Sequence, residues 1–116
     1  MPSPITTHVL DISRGCPASG VVVALEMQNA STAGWKKLAI GTTNADGRIA
    51  DLLPDGFNLQ KGEYRLTFET GQYFRSLGAQ SFYPLVSVIF EIHDPSQHFH
   101  VPLLLSPFGY STYRGS

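Results

Sequence analysis

Cysteine is almost missing from this sequence: Cys16 is the single thiol, so neither an intramolecular disulfide nor a thiolate zinc site can be assembled. Its expected state is a small buried or half-buried side chain rather than a reactive nucleophile. Excess charge is missing as well. Eight Lys and Arg against nine Asp and Glu leave a net charge of -1, which supplies no footprint for nucleic acid or an anionic membrane surface. No apolar run approaches the roughly 20 residues that span a bilayer, and no signal-peptide pattern or peroxisomal address is visible. Repeats, low-complexity tracts and linkers are also lacking, so residues 1–116 read as one domain large enough to bury its own core.

Turn signals, by contrast, are frequent. Arg14-Gly15, Ala33-Gly34, Asp46-Gly47, Pro54-Asp55-Gly56, Lys61-Gly62, Asp94-Pro95 and Ser106-Pro107 break the chain at the short intervals of an antiparallel sandwich. Between them lie eight strand candidates: 6–13, 20–29, 35–42, 48–49, 62–69, 85–93, 99–105 and 110–114. One helix is expected, over 71–78, with Thr70 as its N-cap and Gly78 as its stop. Strand alternation puts His8, Leu10 and Ile12 on one face of the first strand. It also aligns His100, Pro102 and Leu104 on one face of the seventh, and Ser111, Tyr113 and Gly115 on one face of the last.

Four features carry chemistry: His8 in Thr7-His8-Val9-Leu10-Asp11, Arg48 after Asp46-Gly47, His100 in His98-Phe99-His100-Val101-Pro102-Leu103, and the tail Tyr113-Arg114-Gly115-Ser116. Taken singly, His8 and His100 are ordinary strand histidines, Arg48 is a solvated turn charge, and His93 is a strand-end residue beside Asp94-Pro95. Together, and with Cys16-Pro17 and the segments 64–78 and 104–112, they resemble the 5-hydroxyisourate hydrolase branch of the transthyretin-like family over nearly the whole sequence.

That resemblance implies an all-β, eight-stranded, two-sheet transthyretin-like sandwich with one short helix. It also implies a homotetramer, a dimer of dimers, whose sites lie where dimers meet. The activity implied is hydrolysis of 5-hydroxyisourate to 2-oxo-4-hydroxy-4-carboxy-5-ureidoimidazoline during urate degradation, without a cofactor or metal. Catalytic roles fall to His8, Arg48, His100 and Ser116, and substrate contacts to these together with Tyr113, Arg114 and Gly115. The implied setting is intracellular, peroxisomal in a eukaryote and otherwise cytoplasmic. Because the family also includes a hormone carrier, a small-molecule carrier is the competing expectation.

The residue types suit the hydrolytic reading. Histidine gives and takes protons near neutrality, so one imidazole can deprotonate water while the other orients it or protonates the leaving nitrogen. An unperturbed histidine base predicts activity falling as pH drops through about 6 to 7. Arg48 offers a planar donor fork for the carbonyls of an oxidised purine, and a main-chain carboxylate at Ser116 would add an acceptor for an imidazole or arginine. No Gly-x-Ser-x-Gly elbow is present, which favours direct attack by water. His98, on the same face as His100, is expected to be a supporting or solvated residue rather than a direct participant. A zinc site at His8, His98 and His100 is disfavoured, since a structural zinc takes four ligands and a catalytic one three well-placed ones.

Overall fold

The computed structural model describes residues 3–29 and 31–116, with elements β1 (Ile5–Asp11), β2 (Cys16–Pro17), β3 (Val22–Gln28), β4 (Trp35–Thr42), β5 (Arg48–Ile49), β6 (Gly62–Phe68), α1 (Thr70–Ser76), β7 (Val86–Ile92), β8 (Phe99–Ser106) and β9 (Gly109–Thr112). Two sheets result. One runs β2-β1-β8-β9, with β5 also paired to β1; the other runs β4-β3-β6-β7. Alternation in β1 and β8 turns Ile5, Val9, Val101, Leu103 and Leu105 inward against Val23, Leu25, Leu66 and Phe68 of the facing sheet, all buried. The same alternation leaves Thr6, His8, Leu10, His100 and Leu104 on the outer face of the first sheet.

The two-sheet sandwich with one short helix is the expected fold, and several details differ from expectation. A ninth strand, β2, pairs Cys16 with Asp11 and Pro17 with Leu10; two residues after a turn carry no periodicity by which to find it. The sheets are not wholly antiparallel, because β1 runs parallel to β8 with Thr6 opposite His100 and His8 opposite Pro102. Nothing local announces such a pairing between segments some 90 residues apart. β1 stops at Asp11, so Ile12 lies beyond the strand and is exposed, although its N–H still reaches the Leu105 carbonyl.

The helix starts earlier than its apparent cap. Glu69 occupies the N-cap position without a side-chain hydrogen bond, and Thr70 is the first helical residue, its buried Oγ1 unpartnered among the described atoms. Tertiary packing overrides the capping preference here: Thr70, Gly71, Tyr73 and Phe74 are the buried side of α1. The C-terminal end follows expectation, with the Gly78 N–H on the Arg75 carbonyl and the Ala79 N–H on that of Phe74. The helix is tied to the first sheet by Tyr73, which donates to Oδ2 of fully buried Asp11 at 2.8 Å. Burial, and then that bond to Asp11, push the Tyr73 phenol up to about 12. The remaining Asp11 oxygen accepts from the Ser13 hydroxyl and from the Ser13 and Arg14 N–H groups, closing the turn between β1 and β2.

Candidate active site

Arg48 is placed by the turn before it. The Asn44 side chain accepts from the N–H groups of Asp46 and Arg48 at 2.9 and 3.0 Å, and the Gly47 carbonyl accepts from the Val9 N–H at 2.7 Å. Gly47 has φ of +74°, and a Cβ there would collide with the Val9 carbonyl, so this position admits glycine alone without rearrangement. Emerging from that turn, β5 pairs with β1 so that Arg48 lies directly opposite His8. Facing pairs project to the same side of a sheet. A turn, a glycine and two residues of strand therefore bring a guanidinium beside an imidazole.

The parallel register of β1 and β8 completes the group. Thr6 lies opposite His100, and its Oγ1 is 2.8 Å from His100 Nδ1 and 3.1 Å from His98 Nε2. The two imidazoles are nearly parallel, with centroids 6.5 Å apart. On the far side of His100 the tail returns to the sheet: the Gly115 N–H donates to the His100 carbonyl at 2.8 Å. A Cβ at Gly115 would stand 2.6 Å from His100 Cδ2 and 3.3 Å from Pro102 Cγ. Only a residue without a side chain lets the tail lie this close to the ring.

These groups surround a cavity of about 220 Å³ lined by Thr6, Thr7, Arg48, His98, His100 and Ser116 together with Ile49 and Ala50. His8 is not among the lining residues; it lies opposite Arg48 in the β1–β5 pair. Desolvation, then the positive charge of Arg48, holds the His8 imidazole below its ordinary value of 6.5. His100 is lowered from the same value by desolvation first, then by Arg48, His8 and His98. Both rings are thus biased toward the neutral form that accepts a proton. Among the described residues, no group of three or more His, Cys, Asp or Glu is gathered so as to hold a metal ion.

Of the candidate residues, Arg48, His98, His100 and Ser116 line this cavity, with His8 paired to Arg48 and Gly115 bonded to the His100 carbonyl. Tyr113 and Arg114 go elsewhere. They line a second, larger cavity of about 480 Å³ with Val88, Phe90, Phe99 and Val101. β9 ends at Thr112, so the alternation expected to carry Ser111, Tyr113 and Gly115 on one face does not continue. Arg114 instead folds back on the start of β8, bonding Gln97 Oε1 at 2.8 Å and the His98 carbonyl at 3.3 Å, with its guanidinium 4.6 Å from the Phe99 ring centre. His93, at the rim of the larger cavity, is highly exposed. The smaller one is the candidate site, because there the half-buried His100 imidazole and the exposed His98 ring meet a guanidinium. Thr6 was not among the candidates, although alternation places it on the His8 face and a hydroxyl two residues before a strand histidine is a readable signal.

The fold and this cluster define a small β-sandwich protein whose outer sheet face carries acid–base groups suited to moving protons on a compact polar ligand. The chain belongs to the HIUase/Transthyretin family, whose model matches residues 5–115. It is 47% identical to the 5-hydroxyisourate hydrolase of Mus musculus over 114 residues, which cover 98% of this chain and 96% of that one. The structure of Klebsiella pneumoniae 5-hydroxyisourate hydrolase is similar with a TM-score of 0.83 and 44% identity, covering 97% of this chain and 98% of that chain. Sea bream transthyretin in complex with thyroxine superposes with a TM-score of 0.90 at 32% identity, covering 97% and 95% of the two chains. Backbone similarity does not separate the two branches. Sequence identity does, and it favours the hydrolases.

Proposed function

We propose that this protein hydrolyses 5-hydroxyisourate, a step in urate degradation. The observation that carries the reading is the convergence of Arg48, His98 and His100 on one cavity, with His8 paired to Arg48 beside it, in a chain 47% identical to a hydrolase of that name. A neutral imidazole takes a proton from water as its oxygen bonds to the carbonyl carbon of the six-membered ring. The carbonyl oxygen gains negative charge, which the Arg48 guanidinium stabilises. Collapse breaks the ring C–N bond, the nitrogen takes a proton from an imidazolium, and 2-oxo-4-hydroxy-4-carboxy-5-ureidoimidazoline is released. His8 and His100 supply the base and the acid. Ser116 closes the cavity wall beside them.

The carrier reading draws support from the close backbone match to thyroxine-bound transthyretin. Against it stand the imidazoles and guanidinium, which a large apolar aromatic ligand would leave buried and unpaired. Fresh 5-hydroxyisourate separates the two: the hydrolase accelerates the decay of its ultraviolet absorbance over buffer, and a carrier does not.

The lowered histidines add a pH signature. With folded-state values below 6.5, the active neutral rings persist to lower pH than free histidine would, so the acid limb of kcat/KM has its midpoint below 6.5. This shifts downward the window of about 6 to 7 that an unperturbed base implies. A limb centred above 6.5, or a flat profile, would count against a histidine base in this environment.

We propose as the working form a homotetramer, a dimer of dimers, intracellular, peroxisomal in a eukaryote and otherwise cytoplasmic. In favour of assembly, Phe82, Phe108 and Tyr113 are 69%, 67% and 58% exposed, and Phe82 and Tyr83 extend into an edge-to-face chain with Tyr110.

A further inference from the structure

The Thr6 hydroxyl carries one proton and stands within hydrogen-bond distance of two ring nitrogens, His100 Nδ1 and His98 Nε2. It can donate to only one of them, so at least one of the two ring nitrogens must be a donor, and the tautomers of the two imidazoles are linked through a single oxygen. The environment of His100 settles the direction useful for hydrolysis. Its Nδ1 is held by Thr6 and its Cγ–Cδ2 edge lies against Gly115, and among the described residues no hydrogen bond engages Nε2. A base at this ring therefore acts through Nε2, which requires the proton to sit on Nδ1.

We infer that Thr6 is a positioning residue: it accepts from Nδ1–H of His100, donates to Nε2 of His98, and so fixes His100 in the tautomer whose Nε2 lone pair is free to take a proton from water. The arrangement explains a β1 threonine that is buried on the outward face of its sheet, where its neighbours His8 and Leu10 are only half-buried. It gives exposed His98 a part as well. As the acceptor of the Thr6 proton, His98 keeps the hydroxyl from turning its hydrogen toward His100. When His100 becomes an imidazolium, its Nδ1–H already points at Thr6 Oγ1, and that bond strengthens with the charge.

The kinetic consequence rests on the hydrolase reading, whereas the tautomer assignment does not. Thr6→Val keeps the shape and β-propensity of the side chain and removes the hydroxyl; Thr6→Ser keeps the hydroxyl. Thr6→Val is expected to lower kcat about tenfold with KM little changed, the size of one lost neutral hydrogen bond felt in the transition state, and Thr6→Ser is expected to stay near wild type. Long-range ¹H–¹⁵N spectra at a pH where the histidines are neutral should show His100 protonated at Nδ1 in the wild type and in Thr6→Ser, and a shift toward Nε2–H in Thr6→Val. An unchanged kcat in Thr6→Val, a raised KM with kcat intact, or a wild-type His100 protonated at Nε2 would each overturn the positioning role. Wild-type protein that fails to accelerate 5-hydroxyisourate decay would remove the hydrolase reading instead, while the spectra still decide the tautomer.

Discussion

His100→Asn and His8→Asn are each expected to lower turnover of 5-hydroxyisourate by on the order of 10²-fold or more, the usual worth of a positioned general acid or base. Asparagine preserves polar bulk and hydrogen-bonding reach but cannot exchange a proton near neutrality, so the substitution removes chemistry more than structure. Both histidines project from the outer face of their sheet and neither belongs to the buried cluster between the sheets. Their loss should therefore leave a cooperative thermal transition near that of the wild type. Single-turnover decay of the substrate, measured beside a thermal melt of each variant, checks both halves. If both variants turn over substrate at near wild-type rates, the cavity at Arg48 and His100 is not the reacting centre.

The acid side of stability follows from the same two residues. For a histidine whose folded pKa lies below its unfolded value, the unfolded chain binds more protons, and stability falls as pH drops from above 6.5 through the folded values. Removing either ring should flatten that dependence, which ties the kinetic and thermodynamic readouts to one protonation event.

Much of this arrangement is legible in the sequence because turns and alternation are local properties. The Asp46-Gly47 turn marks the start of β5, Gly78 ends the helix, and period-two alternation puts His8 and His100 on outward faces. What local patterns do not carry is which strands become neighbours. The parallel union of β1 with β8 alone brings Thr6 to His100, and the resulting hydroxyl bridge between two imidazoles is invisible until residues about 90 apart are aligned. The same limit explains the tail. A strand continued by alternation through residue 114 would have aimed Tyr113 with Gly115, but β9 stops at Thr112 and the attraction of Arg114 for Gln97 and the Phe99 ring turns it to the other cavity. Thr70 illustrates a different failure. It has the chemistry of a cap, yet burying Tyr73 and Phe74 against the sandwich sets where the helix begins.

Deleting residues 113–116 is expected to abolish hydrolysis while preserving the sandwich. The tail is attached by few contacts: the Gly115 N–H on the His100 carbonyl, Arg114 on Gln97 and the His98 carbonyl, and the guanidinium over Phe99. Each hydrogen bond is worth about 0.5–1.5 kcal/mol net, and the Arg114 contacts are solvent-exposed. Against them stands a core in which every fully buried Leu, Val or Phe contributes about 1.5–3 kcal/mol, and none of those residues lies beyond Leu105. All nine strands among the described residues end before the deletion begins. The cavity fares differently, because Ser116 forms part of its wall and Gly115 holds one side of the His100 ring. Gly115→Ala tests that second contact with every other residue in place, since its new methyl group would need room now occupied by Cδ2 of His100 and must displace either the ring or the tail. The truncated and substituted proteins should keep the far-ultraviolet circular dichroism spectrum and cooperative melt of the parent, with substrate decay falling to the buffer rate in the first and well below wild type in the second. Full activity after truncation would leave His8, Arg48 and His100 as the working site without the tail, and a truncated chain that no longer melts cooperatively would make residues 113–116 part of the fold instead.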